Sequence, residues 1–598
     1  MLFLPGYLLA RAARLPAAAS AAYPLSAVIL TLAVIGFTWL GFPLRFWPVV
    51  AVICLATGAG YYSLLVLPLS PVPDTPATAP LPMRVVGLAV AGLVAVVLLY
   101  RMSVWPLAGP DTPFRWEALA RVMLETDGLV HYPPVSHIDF GHYFYCDGIP
   151  PLTSGVYWFL YAAHGQPWPA ITAIPVALQL VAAFGLVFHG GKALSGTAGG
   201  FVSLTLLAAT PLFIRAVGIG QETGYTALAV AGQLLYGRLA RGPGGIQCAV
   251  AAGAFAGLGA LAREYGVALG IAGLASLAWL GGPRFRLLPF VLTAAAIAAP
   301  WYVRNWLRTG NPVYCLDVLG FPVNQVYAGI MTEYQRKFAL SSLPLASWTG
   351  LARDVSIGAG PVVLAGIIGV VAGWRKAAPA GLVAAVTVAL WLWSVGYTAG
   401  GLAYSLRVLA PAWVALAVAA SGPGASLAAR RWSTWGWAVL ATGFGGFAVL
   451  FAWAHPQGVT EIDWRAPRVG PDLTSDANRG WLSHHLTTSR LEPGKVLTEN
   501  CFLAIALRHN TRFPPVMVWD PDLAFLFDAA LPPAEVRRRL LSKGVRYVAL
   551  YRRHPSNSYL LRFNFFHSDE RTLDPILTDP QYVLFALPRD GPDSRPGT

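Results

Sequence analysis

The chain has 598 residues, is 56% hydrophobic and only 12% charged, and carries a formal net charge of +14. This balance excludes an ordinary soluble domain, because apolar stretches recur that are long enough to cross a ~30 Å hydrocarbon core, which takes about 20 helical residues. The positive charge does not point to nucleic acid: many Arg and Lys residues fall in short loops between apolar segments, and no basic stripe with interleaved aromatics is present.

The first apolar stretch, residues 2–10, is short, has no basic region ahead of it and is followed by Arg11 and Arg14, which argues against a cleaved signal peptide. Longer segments follow near residues 22–41, 46–69, 84–105, 169–188, 196–213, 223–239, 246–262, 265–281, 287–303, 358–374, 379–397, 408–424 and 433–454. They predict about 13 transmembrane helices, helices being favoured over a barrel because the segments are continuously apolar. With a cytoplasmic N-terminus, the connections holding Arg84, Lys192, Arg238 with Arg241, Arg284 with Arg286, Arg375 with Lys376, and Arg430 with Arg431 all fall inside, as the positive-inside rule requires. The same register puts the long loop 106–168, the corner Gly220-Gln221-Glu222, the turn Arg263-Glu264, the segment 304–357 and the corner before Arg407 outside. The stretch 152–164 is apolar but short and flanked by Pro150 and Pro151, and it reads as a helix lying near the interface.

The predicted organisation is therefore N-terminal transmembrane helices over 1–105, an outer loop with juxtamembrane helices over 106–168, a bundle with outer loops over 169–454, and a soluble outer domain over 455–598. In that last part, Lys495-Val496-Leu497-Thr498, residues 545–551 and residues 582–587 read as strands. Residues 532–544 read as a helix, with proline at the start, basic residues late and glycine at the end. Together they predict a small α/β domain, with the last ten residues disordered.

The outer loop holds Asp111, Glu117, Glu125, Asp127, Asp139 and Asp147 together with His131, His137 and His142, and long loops in compact chains are disproportionately functional. Asp111 stands just past a span, where a carboxylate can take a proton from an acceptor arriving from outside. The same position, two residues before Pro113, also suits a helix cap. Glu222 is a second acid at an outer corner, and a solvated loop acid is its plainer reading. Arg263-Glu264-Tyr265 interrupts apolar sequence with almost no loop. An ionised group at mid-bilayer costs about 2.5–3.5 kcal/mol on insertion scales, so these residues must reach the interface, pair with each other or line a wet cavity.

Arg304, beside Trp301 and Tyr302, fits an interfacial belt with a snorkelling guanidinium. Arg407 stands at the entry to another span. Several arginines on the outer side run against the topology rule and suit a lipid phosphate, which guanidinium binds in bidentate fashion. His137, Asp139 and His142 offer three ligand types within one short stretch for a divalent cation, although histidine-rich loops also occur without metal and the spacing fits no defined template. No GxGxxG, P-loop or GxSxG motif appears in a supporting context, so nothing indicates a nucleotide cofactor or a serine hydrolase. Among the five cysteines there is no CxxC pair; Cys54 and Cys248 lie in apparent spans, while Cys146, Cys315 and Cys501 lie outside, where a disulfide is chemically feasible but unassigned.

In outline, residues 84–590 resemble the GT-C superfamily of polyprenyl-phosphate-dependent glycosyltransferases, in particular bacterial relatives of protein O-mannosyltransferases and lipid A aminoarabinose transferases. The resemblance is carried by Asp111 through Leu124, Pro150-Pro151-Leu152, Glu222, Pro300-Trp301-Tyr302-Val303-Arg304-Asn305 with Thr309-Gly310-Asn311-Pro312-Val313-Tyr314, and Arg407 to Pro411, in that order and on one side. It implies a helical bundle in the bacterial plasma membrane, a catalytic first outer loop, and a sugar donor carried on polyprenyl phosphate. By the resemblance, Asp111 matches the acid opening the first-loop motif, Glu222 the acid of the second loop, and Arg407 an arginine near the donor phosphate. The chain departs from the usual pattern in having Thr112-Pro113-Phe114-Arg115-Trp116 after the first acid, Glu rather than Asp as the second, and three spans before the first loop.

Such a donor already has a good leaving group, so displacement needs a base for the acceptor hydroxyl and cations for the departing phosphate, but no general acid. Asp111 supplies the first; Arg263, Arg304, Arg407 or a divalent metal supplies the second, and in-line attack inverts the anomeric centre. The expected partners are the polyprenyl-phosphate sugar, the bilayer, and a lipid, glycan or protein acceptor. Two other readings use the same arginines: a transporter or flippase of lipid-linked sugars, which should show paired repeats with broken midplane helices, and a non-catalytic factor that binds polyprenyl glycolipids.

Overall fold

The computed structural model describes residues 1–67, 69, 79–107, 109, 111–281, 283–397, 401–428, 431–454, 482, 484–486, 488–551, 557–560, 562–567, 574–578 and 582–588. Ten helices among them are long and apolar enough, by length and composition, to cross a membrane. The chain is a multi-pass helical membrane protein, and each long helix satisfies its backbone hydrogen bonds within itself, as hydrocarbon demands.

The count differs from the expected number of about 13 for identifiable reasons. Segments 169–188 and 196–213 run into one helical stretch, Ala173–Ala208, broken at Ser195 (φ −145°, ψ 22°) and Gly196 (φ 76°, ψ −178°). The chain doubles back there, so that Phe201 packs edge-on against Phe188 with ring centroids 4.9 Å apart. Helices Thr223–Leu239 and Gly266–Trp279 have 17 and 14 residues. At 1.5 Å per residue these are about 26 and 21 Å long, short of a ~30 Å core.

Most buried apolar side chains belong to one cluster that runs through the bundle. Close approach within it uses small residues. A Cβ on Gly253 would stand 2.4 Å from the Phe290 carbonyl oxygen, and one on Gly257 would stand 2.7 Å from the Ile297 side chain. These glycines, four apart, let helix Gly245–Ala262 lie directly on helix Leu287–Thr309.

Helix Leu152–His164 forms where it is expected but does not lie at a lipid surface. Every residue from Leu152 to Tyr161 is buried, so this 13-residue helix is packed inside the protein. The first outer loop thus folds onto the bundle. It starts with a π-turn, Pro113–Glu117, continues into helix Ala118–Glu125, and makes a further short helix at His137–His142.

Beyond the last long helix, Arg431–Ala454, the described chain resumes near residue 482 and builds a five-stranded sheet. Its strands are β1 (Lys495–Thr498), β2 (Pro515–Met517), β3 (Val545–Tyr551), β4 (Asp574–Thr578) and β5 (Tyr582–Ala586), in the order β2-β1-β3-β5-β4. β1 pairs in parallel with β2 and β3, joined by helices Cys501–Leu507 and Pro533–Ser542, while β5 is antiparallel to β3 and β4. The two strands not anticipated, β2 and β4, are the sheet edges. Each contains a proline, Pro515 and Pro575, which reads as loop in a sequence and is tolerated in a sheet only at an edge. The expected disordered tail lies outside the described residues.

This domain sits on the first outer loop. Trp519 Nε1 donates to the Phe144 carbonyl at 3.2 Å, Arg508 pairs with Glu125 at 2.5 Å, and His137 Nδ1 lies 2.5 Å from Asp520 Oδ2. Asn324, the N-cap of helix Gln325–Phe338, also donates to the Trp519 carbonyl at 2.8 Å.

Candidate active site

The site forms where three corners meet. Thr112, fully buried beside Asp111, donates its hydroxyl to the Ile219 carbonyl at 2.8 Å, and Gln221 Nε2 donates to Thr112 Oγ1 at 2.9 Å. The Tyr404 hydroxyl donates to Gln221 Oε1 at 3.1 Å. The polar side chains Thr112, Gln221 and Tyr404 therefore tie the first loop, the second corner and the turn before Arg407 together. Gly220, with φ +68°, makes the second corner; a Cβ there would stand 2.7 Å from the Tyr157 hydroxyl, which itself donates to the Gly220 carbonyl at 2.5 Å.

On this frame Arg407 bridges two acids. Its Nη1 donates to Glu222 Oε1 at 2.8 Å and its Nη2 lies 3.5 Å from Asp111 Oδ2. The guanidinium also sits over the Tyr404 ring, 4.6 Å from the centroid. The two acids differ sharply: the Glu222 side chain is 1% exposed and the Asp111 side chain 24%. Burial pushes the Glu222 carboxyl up, but Arg407 and Arg263 outweigh it and hold the group below the usual carboxylate range. Asp111 is more loosely held and partly exposed. The N-cap of the turn after it is Thr112, which makes no side-chain cap hydrogen bond.

Arg263 pairs with Glu264 at 3.1 Å, the mutual ion pair weighed from the sequence. It is nonetheless within electrostatic reach of Glu222, Arg407 and Arg115. Arg263 Nη1 and Arg407 Nε are buried N–H groups with no hydrogen-bond partner among the described residues. Two donors thus remain open in a cluster of guanidinium groups.

Arg304 is placed elsewhere. Its Nη2 donates to the Leu129 carbonyl at 2.7 Å and its guanidinium lies 5.3 Å from the Trp301 ring, so it braces the first loop rather than joining the Arg407 cluster. Its neighbour Asn305 donates to the Gly148 carbonyl at 2.9 Å, at the far end of the same loop.

His137, Asp139 and His142 are not brought together around one point. Asp139 closes a capping box with Ser136, pairs with Arg308 at 3.0 Å and lies 3.1 Å from His131. Burial pushes its carboxyl up, and the Val135 and Ser136 hydrogen bonds, with His131 and Arg308, pull it below the ordinary value. His137 turns to Asp520, and His142 stacks on His131 with ring centroids 4.0 Å apart. Burial, His131 and Arg508 hold the His142 imidazole below its ordinary value. The trio does not fit a shared cation, since a guanidinium already occupies the one carboxylate; among the described residues no group of three His, Cys, Asp or Glu side chains could hold a metal.

Asp147 was named from the sequence only among the loop acids, and Arg115 only in the stretch after Asp111; neither was given a role. Arg115 Nε donates to Asp147 Oδ2 at 2.7 Å, and its guanidinium lies 4.6 Å from the Tyr145 ring. Tyr132 and Tyr143 donate to the other Asp147 oxygen at 2.8 and 3.2 Å. The pair lies next to Asp111, and electrostatic coupling reaches from Arg115 to it.

A cavity of about 430 Å³ lies between helices Leu345–Ala372 and Trp374–Ser394 and the segment 406–416. Leu406 and Leu409, on the same turn as Arg407, line it together with Trp391, Trp413, Leu416 and Val363; the lining is apolar and Arg407 itself is not part of it.

No known sequence family matches the chain, and no curated protein does. Several solved structures are similar in part. ArnT from Cupriavidus metallidurans, bound to undecaprenyl phosphate, is 15% identical with a TM-score of 0.49 over 84% of this chain and 97% of that one. The oligosaccharyltransferase AglB from Archaeoglobus fulgidus, in complex with an inhibitory peptide and a dolichol-phosphate, is 14% identical with a TM-score of 0.44 over 78% of this chain and 69% of that one. The mycobacterial arabinofuranosyltransferase AftD is 16% identical with a TM-score of 0.41 over 83% of this chain and 41% of that one.

Proposed function

We propose that the protein transfers a sugar from a polyprenyl-phosphate donor to an acceptor hydroxyl on the extracytoplasmic face of the membrane. The observation that carries this reading is the position of Arg407, between a partly exposed acid, Asp111, and a buried one, Glu222, on a turn whose Leu406 and Leu409 line an apolar cavity. A ligand with an anionic head and a long hydrocarbon tail satisfies both halves of that arrangement. The open N–H groups of Arg407 and Arg263 supply donors for its phosphate.

In this reading the donor phosphate lies on Arg407 and Arg263 and its isoprenoid chain follows Leu406, Leu409 and Trp413 into the cavity. Asp111 accepts the proton of the acceptor hydroxyl, whose oxygen forms a bond to the anomeric carbon. The bond from that carbon to the phosphate oxygen breaks, and the electron pair leaves with polyprenyl phosphate, neutralised by the guanidinium groups. Attack from the face opposite the phosphate inverts the anomeric centre. Glu222 does not touch the reacting atoms; it holds Arg407 in place. The metal expectation enters no step.

The test is purified protein in vesicles with radiolabelled polyprenyl-phosphate sugar and an envelope extract as acceptor. The reading predicts label in a new lipid, glycan or protein product. Movement of labelled lipid between leaflets with no new product would instead identify a transporter.

A further inference from the structure

Three cysteines, Cys146, Cys315 and Cys501, lie in one apolar cluster between the first outer loop, the connection after helix Leu287–Thr309, and the C-terminal domain. All are free thiols in this structure. The Cys315 thiol lies 2.6 Å from the Cys146 carbonyl oxygen, and the Cys146 thiol lies 3.4 Å from the hydroxyl of Tyr314. Each sulfur therefore rests on the other's chain segment, although the residues are 169 apart in sequence. Cys501 faces a different carbonyl, that of Phe144, at 3.8 Å.

We infer that Cys146 and Cys315 are a disulfide-forming pair that fastens the end of the first outer loop to the connection after helix Leu287–Thr309. The location gives the bond a use. Cys146 precedes Asp147, which holds Arg115, and the helix that leads into the Cys315 connection is already joined to this loop by Trp301 and Asn305 donating to the Gly148 carbonyl at 3.2 and 2.9 Å. A covalent tie there stiffens the wall of the site that carries Arg115. The inference rests on the extracytoplasmic placement of this loop in the proposed function, because disulfides persist in oxidising compartments.

The bond forms during folding, before both sulfurs are enclosed. One thiolate attacks the disulfide of an extracytoplasmic thiol–disulfide exchange protein, and the second thiolate then displaces that protein from the mixed disulfide. One S–S bond forms in the chain and one is lost in the partner, which leaves as a dithiol with the two electrons and two protons.

The experiment is alkylation of the full-length protein in denatured membranes without reductant, followed by peptide mass mapping. Peptides with Cys54, Cys248 and Cys501 should carry the label, while those with Cys146 and Cys315 should be unlabelled and linked until a reductant is added. In Cys146→Ser, Cys315 should become labelled. Label on Cys146 and Cys315 before reduction overturns the inference, as does an unlabelled Cys315 in Cys146→Ser, which would mean that another partner holds it. Thiol state is read without any sugar transfer. A labelled pair in a protein that transfers sugar therefore removes only the disulfide, and a linked pair in an inactive protein removes only the proposed function.

Discussion

Arg407 and Glu222 stand 185 residues apart in the chain, yet Arg407 Nη1 donates to Glu222 Oε1 at 2.8 Å in a buried contact. Removing one partner of such a pair leaves an uncompensated charge in the interior, which typically costs about 3–5 kcal/mol. Glu222→Gln should therefore lower the thermal midpoint of the purified protein and reduce sugar transfer together. Unchanged transfer in a destabilised Glu222→Gln variant would separate Glu222 from the site.

Lysine cannot copy the forked bridge that Arg407 makes, because an ammonium is a single point of charge. Arg407→Lys should retain the fold but lose transfer by about 10²–10³-fold, the scale for removing one electrostatic donor from a transition state. A steady-state comparison of the two proteins checks this, and near-wild-type turnover in the lysine variant would contradict the bridging role.

The C-terminal domain contains its own buried acid. Glu499, 3% exposed, accepts from the Tyr551 backbone N–H at 2.7 Å through Oε1, while Oε2 has no partner among the described residues. Burial pushes its carboxyl up from 4.5 to about 7. The folded chain then keeps a proton that the unfolded chain releases, so stability falls as pH rises between those values and levels off above them. The loss amounts to about 3 kcal/mol. Glu499→Gln should raise the domain's melting temperature at pH 8 and flatten its profile between pH 5 and 8; a flat wild-type profile would show that the buried acid does not titrate there.

His137 and Asp520 join the first loop to the C-terminal domain. Limited proteolysis should cleave His137→Ala and Asp520→Ala to a similar degree, and the double variant no faster than either. Additive effects would mean that the two side chains act independently.

The fold was largely legible because apolar length and the sidedness of Arg and Lys are written along the chain. Arg263 and Arg407 stood out for the converse reason: they run against the sidedness expected from the other Arg and Lys residues. Thr112, Gln221 and Tyr404 were not, since neutral polar residues at corners carry no periodic or charge signal, and their bonds reach across the bundle. Arg115 and Asp147 looked like ordinary loop charges 32 residues apart. Arg304 gave the same signal as Arg407, but its partner is a backbone carbonyl that no pattern marks. Local spacing suggested a metal at His137, Asp139 and His142, whereas His137's partner, Asp520, lies 383 residues away.

The central claim is that Asp111 is the base. It is tested by the single-turnover rate of sugar transfer from labelled polyprenyl-phosphate sugar by Asp111→Asn, with binding of unlabelled polyprenyl phosphate measured in parallel. The account predicts a rate lower by about 10²–10⁴-fold, the usual share of general-base catalysis, with lipid binding retained. Transfer at the wild-type rate in Asp111→Asn would contradict it.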